Sequence, residues 1–404
     1  MRFVFIISLF LFYYPLPSIA LAGSPQTEAR WAIRIADSFL AMNPDTVFAQ
    51  PETGRALKWN YDLSVMFEAL YQLAHATGEK KYLDYVRRNL DYFLEDNGTI
   101  KTYKQSDYSL DFIAPGRQLL YLLESKMSDT LEVSDISKYK VAVTTLRQQL
   151  REQPRTHEGG FWHKKIYPYQ MWLDGLYMAE PFYAIYAAYF NEPQDFDDIA
   201  NQFIWMEKHA RDSATGLLYH GWDESKKQYW ANPVTGCSPS FWGRAMGWYM
   251  MGLVDVLDYF PNDHPKRKEL VAIFQRTANA LLAYRDKQSH LWWQVVNKGG
   301  KEKNFLESSA SAMFTYAFAK GAKRGFLDKK FFTAAKKSFQ GILKHFVTMD
   351  MHGIISLHET CESVGLGGTP YRDGSDEYYI SVPRRTNDLR GYGPFLLAAI
   401  EVER

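Results

Sequence analysis

Apolar residues recur at helical spacing from one end of the chain to the other. The periodicity predicts helices over 29–43, 60–77, 80–96, 113–126, 136–152, 172–190, 194–211, 241–259, 266–285, 307–323, 329–347 and 387–403. Turn dipeptides fall between several of them, as at Asn97-Gly98, Gly159-Gly160, Gly299-Gly300 and Gly367-Gly368. The helices also alternate in character. FWGRAMGWYMMGLVDVL is rich in aromatics and glycine, whereas HPKRKELVAIFQRTANALLAYR, which follows it, carries an ordinary polar face. An inner ring buried on all sides, wrapped by outer helices buried along one stripe, produces that alternation. The expected fold is therefore all-α, with six hairpins closing into an (α/α)6 toroid. No long Pro/Ser/Gly linker divides residues 23–404, so they are expected to form one domain. An open superhelix of repeats is the alternative, and the lack of a strict short period counts against it. In a toroid the loops that precede inner helices line one mouth, and most polar and aromatic clusters fall there.

Composition narrows the class. The 404 residues are 46% hydrophobic and 23% charged, which suits a folded chain with a large core. At the start, Arg2, an apolar run from Phe3 to Pro17 and Ala20-Leu21-Ala22 before Gly23 read as a signal peptide over residues 1–22. Export to a periplasmic or secreted location is expected. No later run approaches the roughly 20 apolar residues of a membrane helix, so no membrane span is expected. A net charge of +1, without an arginine- or lysine-rich face, argues against a nucleic-acid partner. Any anionic ligand must be met by local charge. The two cysteines, Cys237 and Cys361, are too few for a thiolate zinc site, and nothing in the sequence shows whether they pair. Aromatic residues make up 16% of the chain, and exposed Trp and Tyr faces suit the C–H faces of sugars.

Five segments carry candidate chemistry. QMWLDGLYMAEPF holds one carboxylate, Asp174, in an otherwise apolar run at the expected start of a helix. Burial beside Trp172 and Tyr177 would raise its pKa and the helix dipole would lower it; a general acid near neutrality needs burial to win. A capping or ion-paired aspartate is the plainer reading. Upstream in the same stretch, GGFWHKK supplies Trp162, His163 and Lys164. WNYDLSVMFEAL places Asn60, Tyr61 and Asp62 at another helix start, and SLDFIAPGRQLLYL sets Asp111 before Pro115 and Arg117. GLLYHGWDES supplies His220, and FWGRAMGWYM supplies Arg244 and Trp248. Singly these are ordinary residues: a lone histidine is usually a hydrogen-bonded structural one, and Trp248 by default is core. No HExxH-type metal spacing, phosphate loop or nucleophile elbow is present.

Together they resemble a family. WLDGLYMAEPF, LLYHGWDES, FWGRAMGWYMMGL, NFLESSASAMFTYAFAKG, YRDGSDEYYI and TNDLRGYGPFLLAAIE, in that order, are similar to the unsaturated rhamnogalacturonyl hydrolases of glycoside hydrolase family 105, related to the family 88 unsaturated glucuronyl hydrolases. The resemblance implies an (α/α)6 barrel that removes a 4,5-unsaturated uronic acid from the non-reducing end of a lyase-generated oligosaccharide. It makes Asp174 the general acid/base and Asp111 the second active-site aspartate. Asn60, Lys164, Trp172, His220, Arg244 and Trp248 become substrate-binding residues, and no metal or cofactor is needed.

That chemistry accounts for the residue types. The substrate is a vinyl ether, so protonation at C4 gives an oxocarbenium ion, water adds at C5, and the hemiketal opens to expel the aglycone. One acid that gives and takes a proton suffices. The expected partner is an anionic unsaturated oligosaccharide, most simply unsaturated galacturonyl-rhamnose from rhamnogalacturonan. Alternatives are glucuronyl substrates from ulvan, arabinogalactan or glycosaminoglycans, a conventional inverting glycosidase, and a non-catalytic sugar-binding toroid.

Overall fold

The computed structural model describes residues 30–45, 58–124 and 131–404; the expected signal peptide lies outside them. Among the described residues are thirteen α-helices, α1 (Trp31–Met42), α2 (Tyr61–Thr77), α3 (Lys80–Tyr92), α4 (Gly116–Glu124), α5 (Val133–Glu152), α6 (Leu173–Tyr189), α7 (Asp195–Ala210), α8 (Gly243–Tyr259), α9 (Arg267–Ala283), α10 (Ser308–Lys323), α11 (Lys329–Phe346), α12 (Asp376–Ser381) and α13 (Leu389–Glu403). Twelve match the expected helices. The short α12, started by the Ser375 hydroxyl accepting from Tyr378 N, has no apolar repeat long enough to announce it.

The inner ring runs α2, α4, α6, α8, α10, α13 and back to α2, each helix packed on the next, while α1, α3, α5, α7, α9 and α11 wrap it. This is the six-hairpin toroid. Burial follows the pattern in the chain. Helix α8 buries every residue from Gly243 to Leu257, whereas α9 buries only Leu270, Ile273, Phe274, Thr277, Ala278 and Leu281, a single stripe. Where inner helices cross closely the residue is glycine: a Cβ on Gly393 of α13 would stand 2.8 Å from the Val65 carbonyl oxygen of α2.

A buried polar network plugs the ring. Arg117 lies 3.1 Å from Glu68 and 2.8 Å from Asp255, and Lys320 lies 2.6 Å from Asp255. Each charge has an opposite partner, which the low-dielectric interior demands. Cys237 and Cys361 are both buried and free. No helix among the described residues is long and apolar enough to cross a membrane.

Three small antiparallel ribbons decorate the barrel, and one builds the mouth. β1 (Gln170–Trp172) pairs with β2 (Gly221–Asp223) in the register Gln170↔Asp223, Met171↔Trp222, Trp172↔Gly221. β1 runs directly into α6, and His220 precedes β2.

Candidate active site

Asp174 occupies the first turn of α6, whose preceding residue Trp172 is extended and offers no side-chain cap. The ribbon fixes what stands beside it. Leu173 N donates to the His220 carbonyl at 2.9 Å, continuing the β1–β2 ladder by one rung and bringing His220 Nε2 to 3.3 Å from Asp174 Oδ1. On the other side His163 N donates to the Gln170 carbonyl and the His163 carbonyl accepts from Leu110 N, at 2.9 and 3.1 Å. Those two bonds hold His163 between β1 and the turn of 3-10 helix at Leu110–Phe112, so its Nε2 lies 3.7 Å from Asp111 Oδ1 and 3.9 Å from Asp174 Oδ2. One imidazole therefore stands between the two carboxylates. Gly175 is required there, since a Cβ would come within 2.9 Å of His163 Nδ1.

Asp111 is 7% exposed and accepts from Lys164 Nζ at 2.5 Å. Burial opposes charge on Lys164, but the Asp111 carboxylate outweighs it and holds the ammonium above its usual pKa. The Lys164 side chain remains 25% exposed, so it is a cation the mouth can present to solvent.

At Asp174 the competition between burial and nearby positive charge goes against burial. Burial does push its carboxyl up, but the His163 and His220 imidazoles and the helix-start backbone pull harder, and it falls to about 2. His163 is itself held below the ordinary imidazole value by burial, against the pull of Asp174 and Asp111. Asp174 is therefore a carboxylate at neutral pH, with the His163 imidazole 3.9 Å from it as a neighbouring titratable group. His220 Nε2 and Asp174 Oδ1 face each other at 3.3 Å and make no other hydrogen bond among the described residues, so the Asp174 carboxylate keeps capacity to accept from a ligand.

The other expected residues fall around this centre in different ways. Trp172 is 4% exposed, and His163 and Tyr167 lie side by side over its indole with ring centroids 4.5 and 4.6 Å away. It acts as the wall that orients His163. Trp248, 1% exposed, packs against Tyr177 at 4.6 Å and Tyr61 at 5.9 Å. Asn60 precedes α2 without capping it, next to Trp59, whose Nε1 donates to the Phe112 carbonyl at 2.8 Å and so ties this corner to Asp111. Arg244 is 1% exposed, and its guanidinium donates to Ser309 Oγ at 2.7 Å and to the Cys361 carbonyl, with Glu307 3.4 Å away. Its bonds are to the protein itself.

Two groups went unassigned in the sequence. His163, adjacent to Lys164, had no role, and its position between two carboxylates depends on backbone bonds to distant segments. Tyr379 of α12 sets its hydroxyl 2.7 Å from His220 Nδ1, fixing that ring from behind. Its only trace in the sequence is its place in YRDGSDEYYI. Across the mouth, burial pushes Asp62 up to about 6, against the pull of the Arg390 guanidinium.

A carboxylate flanked by two imidazoles lies in the mouth of a six-hairpin toroid, and comparison with known proteins places the chain among carbohydrate-processing enzymes. The model of Glycosyl Hydrolase Family 88 matches residues 31–404, so the chain belongs to that family and is a glycoside hydrolase. The solved structure of a family 105 glycoside hydrolase from C. acetobutylicum ATCC 824 superposes with a TM-score of 0.86 at 40% identity, over 93% of this chain and 99% of that one. Protein Atu3128 of Agrobacterium fabrum is 36% identical over 230 residues, 55% of this chain and 97% of its own length. The unsaturated rhamnogalacturonyl hydrolase YesR of Bacillus subtilis is 25% identical over 270 residues, 66% of this chain and 71% of its own.

Proposed function

We propose that this hydrolase removes a 4,5-unsaturated uronic acid from the non-reducing end of lyase-generated oligosaccharides by hydrating the vinyl ether, with unsaturated galacturonyl-rhamnose from rhamnogalacturonan as its substrate, after export from the cell. The observation that carries the reading is the Asp174 cluster. A buried carboxylate with one imidazole 3.3 Å and another 3.9 Å away suits a group that must first give a proton and then take one.

In the free site Asp174 is a carboxylate, and His163, once protonated, holds a proton 3.9 Å from it. An entering uronate adds negative charge and displaces water, and both effects raise the affinity of Asp174 for that proton. Protonated Asp174 then delivers it to C4, and the carboxylate left behind accepts a proton from the water that adds at C5. Lys164 meets the uronate carboxylate, Asp111 holds the water or ring hydroxyls, Asn60 and His220 bind hydroxyls, and Trp172 and Trp248 shape the walls. Arg244 contributes its charge from within the protein. A conventional inverting glycosidase would instead need Asp111 free to activate water, and its bond to Lys164 argues against that.

The test is a panel of lyase-generated oligosaccharides followed by loss of the ultraviolet absorbance of the C4=C5 bond. Turnover should occur on unsaturated uronyl ends and not on saturated glycosides. In heavy water, deuterium should enter at C4, and at early times labelled water oxygen should appear at C5. Label confined to the anomeric carbon would replace hydration by direct hydrolysis.

A further inference from the structure

Next to the Asp174 cluster lies a hollow of about 450 Å³ lined by residues that include Tyr167, Gln170, Gln228, Gly367 and Arg372. Tyr167 belongs to both places: its ring stacks on Trp172 and lies 6.3 Å from His163. Gln170 does too, because its side-chain carbonyl accepts from Trp172 Nε1 at 3.1 Å. The hollow therefore begins beside the stack of His163, Tyr167 and Trp172.

Its most telling residue is Arg372. The guanidinium donates through Nε to the Gly367 carbonyl at 2.7 Å, and through Nη2 to the Tyr167 hydroxyl at 2.9 Å and the Leu366 carbonyl at 3.3 Å. No carboxylate among the described residues pairs with it, and Nη1 has no hydrogen-bond partner among them. The loop is shaped to hold this group. Gly367 and Gly368 adopt φ of 64° and 81°, and a Cβ on Gly365 or Gly368 would come within 2.6 or 2.8 Å of the guanidinium nitrogens. A partly buried cation held in a fixed place without a counter-charge is costly unless a ligand supplies one, and Nη1 is left to donate a charge-assisted bond to a carboxylate.

A second, independent signal comes from Trp230. Its Nε1 is buried with no hydrogen bond among the described residues, and a Cβ on Gly367 would stand 3.7 Å both from it and from Gln228 Oε1. An unpaired donor thus lies beside the same glycine that lines the hollow. At the rim, Tyr229 is 95% exposed and Tyr371 46% exposed, with ring centroids 6.1 Å apart, and such open aromatic faces suit sugar C–H groups.

We propose that this hollow is the subsite for the leaving chain, and that Arg372 pairs there with a carboxylate on a sugar beyond the scissile bond. The inference rests on the reading of the chain as an unsaturated uronyl hydrolase. It extends that reading from the sugar removed to the sugars left behind, since a fragment cut from an acidic polysaccharide carries further uronates along its length.

The test uses two synthetic oligosaccharides with the same unsaturated uronyl end, one bearing a uronate on the leaving chain and the other a hydroxymethyl group in its place. The wild-type enzyme should favour the acid by about ten- to a hundredfold in kcat/KM, mainly through KM, as a charge-assisted bond implies. Arg372→Gln should collapse that ratio, and Arg372→Lys should restore only part of it, having the charge without the bonds through Nε and Nη2 that hold the guanidinium in place. In parallel, calorimetry with a saturated acidic fragment lacking the unsaturated end reads the subsite without any turnover, and its affinity should fall by a similar factor in Arg372→Gln. Equal wild-type kcat/KM on acid and analogue overturns the subsite, as does equal fragment binding by wild type and variant. Arg372-dependent binding of the fragment with turnover of neither oligosaccharide supports the subsite and overturns the hydrolase reading.

Discussion

Asp174 is surrounded by groups that make it a carboxylate at rest, so in the proposed mechanism it must take up a proton before it can act as an acid, and His163 supplies it. Replacing it by Asn keeps the shape and removes the proton carrier. Asp174→Asn should lower kcat by about a hundred- to ten-thousandfold while substrate still binds, and near-normal turnover would take Asp174 out of the mechanism. The same proton sets the pH dependence. His163 is held below the ordinary imidazole pKa of about 6.5, so raising pH through that depressed value removes the proton from His163 and kcat/KM should fall there. A basic limb lying above 6.5, or one left unmoved in His163→Gln, would show that another group carries the proton. Asp62 behaves oppositely as a stability element. Its folded pKa of about 6 exceeds the unfolded one, so its charge costs stability that is lost as pH rises from about 4 to 6. Asp62→Asn should therefore stabilise the fold by about 1–3 kcal/mol at pH 7 and by nearly nothing at pH 4, as read by denaturant titration at both values.

At the scale of elements, the β1–β2 ribbon does what no helix here does: it sets the spacing between Asp174 and His220 by backbone register. A slip of one residue would bring Trp172 and Trp222, now on opposite faces of the ribbon, to the same face and carry His220 away from the carboxylate. Helix contacts are set instead by the size of the residue where two helices cross. Gly393 of α13 faces the backbone of α2, where a methyl group has no room to stand. Gly393→Ala should lower stability by about 1–3 kcal/mol, because two packed backbones would have to part; an unchanged denaturation midpoint would mean that the ring closes more loosely than its geometry indicates.

For the whole molecule, closure of six inner helices leaves an axis that must be filled, and here it is filled partly by charge. Removing Arg117 would leave Glu68 with only the neutral donors of Gln72, Gln118 and Tyr121, while Asp255 would keep Lys320 and the Tyr316 hydroxyl. Arg117→Met should cost about 3–5 kcal/mol in chemical denaturation, more than the loss of packing alone, since an uncompensated buried carboxylate is the expensive state. A loss under about 1 kcal/mol would mean that Lys320 and the surrounding hydroxyls compensate unaided.

The alternation of all-round and one-sided apolar helices was enough to specify the toroid, because burial is written locally at a period of 3.6 residues and each helix reports its own environment. The same pattern placed Asp174 in a buried first turn and put Asn60, Lys164, His220 and Arg244 near the ends of elements. What it could not encode is which distant partner each side chain meets. Lys164 bonds to a residue 53 positions away and His220 meets one 159 positions away, separations at which periodicity carries no information. The depressed pKa of Asp174, the position of His163 between two carboxylates, the engagement of Arg244 by its own neighbours and the unpaired guanidinium of Arg372 all belong to that class. They were decided only in three dimensions, because the field at a titratable group is summed over everything near it in space, and little of that lies near it in the chain.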